Sequence, residues 1–475
     1  MKNIKLYNLL LLMAIVIFSS CEDQLDIRSE DDVSSEIAFG NPTTVEGLVL
    51  GLYSQAQSAN AFNGTPQTST EWQADNSVFK GSFPTFRTIY DYNTQADNTS
   101  INNFWFQNFD VIEATNFVIN NLPPVELDDL PEDDKNQYLG EARFLRALTM
   151  FNMSEYFGQP YQVSQGASLS IPIILEDFRG DNVEDFQGPR NTLSEVYVQI
   201  TTDLDFAIDN LPESYAANAD TRGRATSGAA TALLARLELY RENNTAAAQL
   251  ATEVINSSVY TLASDYEFYN ALSSEDVFSI INTPIDSQNS NEGYSGLTNP
   301  TPEGRGDAPF SPNLIAAYQE EAGDLRFSEL TQIGTDAQGD TSAVFTTKFD
   351  DGVTQADNAP VIRITEMYLI RAEANLKAGT SIGATPLSDI NILRSRAGLS
   401  PLATLTIDDI VRERRKELAF EGGHRRLDLL RNGMSLRRPG QSNEAMSKLG
   451  DSQTIFPIPT REIDLNPDLV QNPGF

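Results

Sequence analysis

Residues 138–157, YLGEARFLRALTMFNMSEYF, set the architecture. Phe144, Leu148 and Phe151 fall on one helical face with Leu145, Thr149, Asn152 and Tyr156 beside them, and Gly158 and Pro160 stop the helix. Working outward, Thr192 caps a second helix that runs to Leu211, with Val196, Ile200, Leu204 and Ile208 at four-residue spacing. Residues 226–241 carry Leu233, Leu237 and Tyr240 among small alanines that suit close packing, and 245–256 supply a partner helix. Residues 365–378 stop at Gly379, 386–397 begin on Pro386 and stop at Gly398, and 406–421 with 424–432 make a further pair. The pairs near 138–211, 226–256, 365–397 and 406–432 predict a mostly α fold on tetratricopeptide-like repeats, irregular and separated by long insertions.

The N-terminus reads as a lipoprotein signal. Lys2 and Lys5 precede an apolar run from Leu9 to Phe18, then Ser19, Ser20 and Cys21. The run is too short to cross a bilayer of roughly 30 Å. Cys21 is the one cysteine in 475 residues, which excludes an intramolecular disulfide and makes it the expected lipidation site. Residues 1–20 are then the signal peptide, 21–36 an acidic flexible tether, and 37–475 a single domain held on the membrane by acyl chains.

After residues 1–20 are removed, 67 acidic residues face 31 basic ones, a balance that repels nucleic acid and anionic lipid. His424, the one histidine, sits in the charged junction EGGHRRLDLLR and reads as structural. Without more His and Cys the common zinc and triad constellations are not available, and no P-loop, dinucleotide fingerprint or EF-hand is present. No cofactor is expected. Asp350, Asp351 and Asp357 could hold a structural calcium ion, but acidic chains contain many such clusters by chance. In RERRKELAFEGGHRRLDLLR (412–431), Glu413, Glu417 and Glu421 recur every fourth residue and need cations opposite, for which Arg425, Arg426 and Arg431 are the expected source after a fold-back at Gly422-Gly423.

Taken together, the lipobox cysteine, GEARFLRALTMFNMSEYFG (140–158), YLIRAEANLKAG (368–379), NILRSRAGL (391–399), the 412–431 segment and IFPIPTREIDLNPDLVQNPGF (455–475) resemble the SusD/RagB family of Bacteroidetes surface lipoproteins, in that family's order. The resemblance implies four tetratricopeptide-like units as scaffold and a ligand face of intervening loops. It implies an outer-membrane, surface-facing protein that captures glycans, less often peptides, without catalysis, and passes them to a SusC-like TonB-dependent transporter. A scaffold that binds only the transporter is the remaining reading.

The family's binding residues commonly come from loops that correspond here to about 72–100 and 282–312. Both are polar yet rich in aromatics, as a sugar site requires: rings pack on pyranose C–H faces while amides and carboxylates take hydroxyls. The candidates are Trp72, Phe83, Tyr90 and Tyr92 as stacking surfaces, Asp75 and Asn93 as hydroxyl partners, and Tyr294 with Arg305 from the second loop. Trp105 reads as a core residue. Only Lys80, Arg87 and Arg305 are cationic in these loops, which favours a neutral glycan over an anionic one.

Overall fold

The computed structural model describes residues 35–180, 182–287 and 291–475. The expected signal peptide, Cys21 and all but the last two tether residues lie outside the described residues. The helices that build the scaffold are α1 (Pro42–Ala56), α2 (Thr65–Gln73), α3 (Pro84–Tyr90), α4 (Thr99–Asn121), α5 (Glu132–Phe157), α6 (Leu193–Asn210), α7 (Ser227–Tyr240), α8 (Asn244–Asn256), α9 (Ile364–Ala378), α10 (Pro386–Arg396), α11 (Ile407–Leu418) and α12 (His424–Arg431). Local chemistry sets their ends. Helix α5 starts at Glu132 rather than near Tyr138, since Glu132, Asp133 and Asp134 complement the positive end of the helix dipole. Thr192 and Glu195 form a capping box on α6, as Thr406 and Asp409 do on α11, and Gly379 ends α9 at φ 67°.

Consecutive helices pack as α5 on α6, α7 on α8, α9 on α10 and α11 on α12, and the pairs stack through α6 on α7 and α8 on α9. Helices α1 and α4 cover the other side of α5. Two short antiparallel ribbons complete the fold: β1 (Asp276–Ile280) with β4 (Ala359–Arg363), and β2 (Thr331–Gly334) with β3 (Ala343–Thr346). The main core runs from Ala38 to Leu469 and joins these layers. Phe144 of α5 meets Phe278 of β1 edge-on at 5.0 Å, and Phe151 packs 5.4 Å from Tyr240 of α7. Each such ring contributes about 1.5–3 kcal/mol by leaving water. Trp105 is core, against Phe109 and Phe157 at 4.8 Å each.

The carboxylate row of α11 and the turn after it does meet cations, but not the expected ones. Glu413 pairs with Arg326 (2.9 Å) and Arg394 (2.7 Å), Glu417 with Arg326 (3.2 Å) and Arg396 (2.9 Å), and Glu421 with Arg363 (2.7 Å) and Lys348 (2.5 Å). Helix α12 aims its own arginines elsewhere. Arg425 clasps Asp75, Arg426 donates to the carbonyls of Thr454 and Glu155, and Arg431 pairs with Glu373 and Asp428. The fold-back thus ties α11 and α12 mainly to other segments, while Arg414 of α11 pairs with Asp428 of α12 at 2.8 Å. His424 is buried beside Glu366, and burial pushes its pKa down to about 4, so it stays neutral.

The acidic loop considered for calcium is closed on itself. Asp351 accepts hydrogen bonds from the backbone of Val353, Thr354 and Ala356, and Asp357 from Asp351, Asn270 and Ser295. Among the described residues no group of three or more His, Cys, Asp or Glu is placed to hold a metal ion.

Candidate ligand-binding face

The two aromatic-rich loop regions meet edge to edge. Val78 donates its backbone N–H to Pro309 (3.3 Å), Lys80 to Asp307 (2.9 Å), and Ser311 returns one to Asn76 (2.8 Å). This short pairing delivers the chain to Phe83, which precedes Pro84 at the first position of α3. Phe86 and Ile89 turn inward and are buried, so the three- and four-residue period leaves Phe83, Arg87 and Tyr90 along the outer row.

Phe83 keeps 38% of its surface exposed while resting on Phe86 at 5.8 Å. Arg305, from the second loop, lays its guanidinium 4.2 Å from the Phe83 ring centre and is fixed by Asp307 at 2.7 Å. Burial pushes the Asp307 carboxyl up, and Arg305 offsets part of that rise. Lys80 reaches Asp336 at 3.1 Å, and the turn carrying Asp336 is pinned by Ala337 donating to the Gly306 carbonyl (3.0 Å). Arg87 lies over the rings of Phe79 (4.7 Å) and Tyr90 (5.7 Å), and Arg437 lies 4.5 Å from Tyr90. Four cations, two carboxylates and two accessible rings therefore meet at this face.

The expected site residues divide in two. Phe83 and Arg305 are brought into contact, Tyr90 is half-buried on the same helix row, and Asn93 is exposed just past it. Trp72 is fully buried, 4.8 Å from Phe79 and 5.2 Å from Phe86, and offers a ligand no face. Asp75 is buried in a bidentate pair with Arg425 (2.6 and 2.9 Å), with Arg438 at 3.0 Å and Arg415 at 3.4 Å. Burial alone would raise that carboxyl, but Arg425, Arg415 and Arg438 hold it well below the usual range. Tyr92 is buried and donates its hydroxyl to the Gln73 carbonyl at 2.5 Å. Tyr294 stacks on Phe349 at 4.1 Å in the core and accepts from the Gly422 N–H. For Trp72, Asp75, Tyr92 and Tyr294 the expectation of ligand contact is corrected: ring area is worth more inside than at the surface, and a carboxylate among three guanidiniums has no site left for a hydroxyl. Asp336 was not foreseen. It enters from a third segment, the turn after β2, which loop composition could not reveal.

Two family models match this chain, one described as "SusD family" over residues 340–475 and one as "Starch-binding associating with outer membrane" over residues 23–239. A "SusD-like protein" of Bacteroides ovatus is 25% identical over 452 residues, which is 86% of this chain and 79% of that one. The chain is SusD-like along both matched spans. The crystal structure of a SusD superfamily protein from Bacteroides vulgatus superposes with a TM-score of 0.79 at 26% identity, over 91% of this chain and 99% of that one. A "laminarin binding SusD-like protein" shares the fold with a TM-score of 0.75 at 24% identity, over 92% of this chain and all of that one. The SusD family members matched here are thus mostly helical, and the family model's description associates them with the outer membrane.

Proposed function

We propose that this SusD-like protein is a cell-surface lipoprotein, anchored through Cys21, that captures oligo- or polysaccharide on the Phe83 face and hands it to a SusC-like TonB-dependent transporter without cleaving it. The observation that carries the proposal is the exposed Phe83 ring at the junction of the two loop regions, with the Arg305 guanidinium 4.2 Å away. A ring takes the apolar face of a sugar, and flanking guanidinium and amide groups take its hydroxyls. The starch-binding family description and the laminarin-binding neighbour support glycan as the ligand class. Asp307 and Asp336 are each held by a cation and act as braces rather than as an acid and a base. With Lys80 and Arg305 so occupied, Arg87 and the buried Arg437 are the cations of this face that pair with no carboxylate among the described residues, and the surface suits a neutral glycan.

Affinity electrophoresis through gels containing neutral and acidic polysaccharides tests the reading. Retardation by at least one glycan, lost in Phe83→Ala, is the expected result. Mobility unchanged in every gel would overturn it.

A further inference from the structure

A second aromatic cavity lies away from the Phe83 face, between α4 and the C-terminal helix Thr460–Leu465. Phe106, Phe109 and Phe186 are half-buried around it, the buried Trp105 closes one side, and Asp110 and Glu462 bring carboxylates to its lining. Its free volume is about 160 Å³, room for several waters at roughly 30 Å³ each and so for one ring-sized group. None of the residues of the Phe83 face lines it.

The geometry points to a subsite for a single sugar ring in this cavity, separate from the Phe83 face; the proposal rests on the glycan-binding reading and extends it to a second point of attachment. Phenyl rings supply the stacking surface and the two carboxylates accept from hydroxyls. Burial raises both carboxyls, and in Glu462 it does so even though the Trp105 indole donates to it and Arg461 lies near. Such groups gain from neutral donors that replace the water they have lost. An organic cation is the other chemistry that rings and carboxylates attract, but Arg461 already sits 5.2 Å from the Phe106 ring and would repel it. Two points of attachment on one chain would favour long glycans over short ones through effective concentration.

Trp105 makes the test direct, because Trp72 is the only other tryptophan and its buried Nε1 has no hydrogen-bond partner, so Trp72→Phe removes no bond. In the full mature chain carrying Trp72→Phe, emission from Trp105 is followed while maltohexaose and laminarihexaose are added, alongside retardation in starch and laminarin gels. The expected result is a saturable change for at least one sugar. It should persist in Phe83→Ala and weaken about tenfold in both Phe106→Ala and the surface variant Asp110→Ala. Retardation with a silent Trp105, or a response unaffected by both cavity variants, overturns the subsite and leaves the Phe83 face standing. A response to butylamine but to neither sugar overturns it in favour of a cation cage. Silence together with no retardation in either gel defeats the subsite along with glycan binding.

Discussion

Replacing Glu417 with Gln should cost about 3–5 kcal/mol of stability, because it leaves buried arginines without a counter-charge. Glu417 belongs to a network in which Arg326, Lys348, Arg363, Arg394, Arg396 and Lys416 face Glu275, Asp324, Glu413, Glu417, Glu421 and the half-exposed Glu321. Cations and carboxylates there are equal in number, so the wild-type network is neutral. One Glu417 oxygen takes Arg326 (3.2 Å) and the Tyr266 hydroxyl (3.1 Å), the other Arg396 (2.9 Å). Burial pushes this carboxyl up, but Arg396, Arg326 and Arg363 hold it below the ordinary value, so it is charged at neutral pH. At an effective dielectric of about 20, each contact near 4 Å is worth roughly 4 kcal/mol of attraction, and the relief of desolvating one carboxylate cancels about half of the two. Urea unfolding followed by circular dichroism at pH 7 measures the loss. The double variant Glu417→Gln with Arg396→Gln restores neutrality and should recover about 1–3 kcal/mol relative to additivity. A single-variant loss below about 1 kcal/mol, with no coupling to Arg396, would refute the view that these charges are dry and mutually dependent.

Acid should dismantle the same network in a defined direction. Burial is outweighed by Arg363 and Lys348 at Glu421, whose pKa falls to about 2, so its contribution is complete above the unfolded value near 4.3 and is lost as pH drops towards 2; urea midpoints taken from pH 5 downward should fall steadily. Glu71 has the opposite sign. Burial raises it to about 7, so the folded chain keeps its proton while the unfolded chain has lost it, and stability falls as pH rises from about 4.3 to 7. Glu71→Gln should therefore match wild type at pH 4 and exceed it by up to about 3 kcal/mol at pH 8, and identical curves at both values would show that Glu71 does not titrate in this window. Trp72→Phe should lower the thermal midpoint while leaving glycan retardation intact; loss of retardation in a folded variant would restore Trp72 as a ligand contact. Cys21→Ala should move a folded, glycan-competent protein from the membrane to the soluble fraction, and its continued sedimentation with membranes would remove lipidation as the anchor.

The helices were legible because their determinants are local. Apolar spacing, the Thr192 and Thr406 caps and the Gly379 stop each operate within a turn or two of chain. The need for cations opposite Glu413, Glu417 and Glu421 was legible for the same reason. Their identity was not, since Arg326, Lys348 and Arg363 arrive from segments whose path the sequence does not order. The site failed in a related way. The run TPQTSTEWQ reads as surface because it is polar, yet every residue of α2 is buried. Several of its groups find partners inside: Ser69 donates to the Thr65 carbonyl, Gln67 to Ala61, and Asn76 to Glu71. A polar segment whose hydrogen bonds are met internally cannot be told from a solvated one by composition.

The buried residues first read as ligand contacts still govern the face from beneath. Arg437 donates to the carbonyls of Trp72 and Tyr90 at 2.8 Å each, so the helix holding the core tryptophan and the end of α3 share one guanidinium. Asp75, two residues past α2, gathers Arg415 and Arg425 from the 412–431 segment and Arg438 beyond it. The first loop region is thereby clamped to α11 and α12, and Phe83 is presented from a platform whose hydrogen bonds are already made. Arg305, stacked on that ring and locked to Asp307, need not be ordered when a ligand arrives. Binding then costs less conformational entropy than a loop of this polarity and length implies, because its aromatics were committed to the core when the chain folded. The motifs that mark the family lie far from the exposed ring in sequence, and their arginines are what hold it in place.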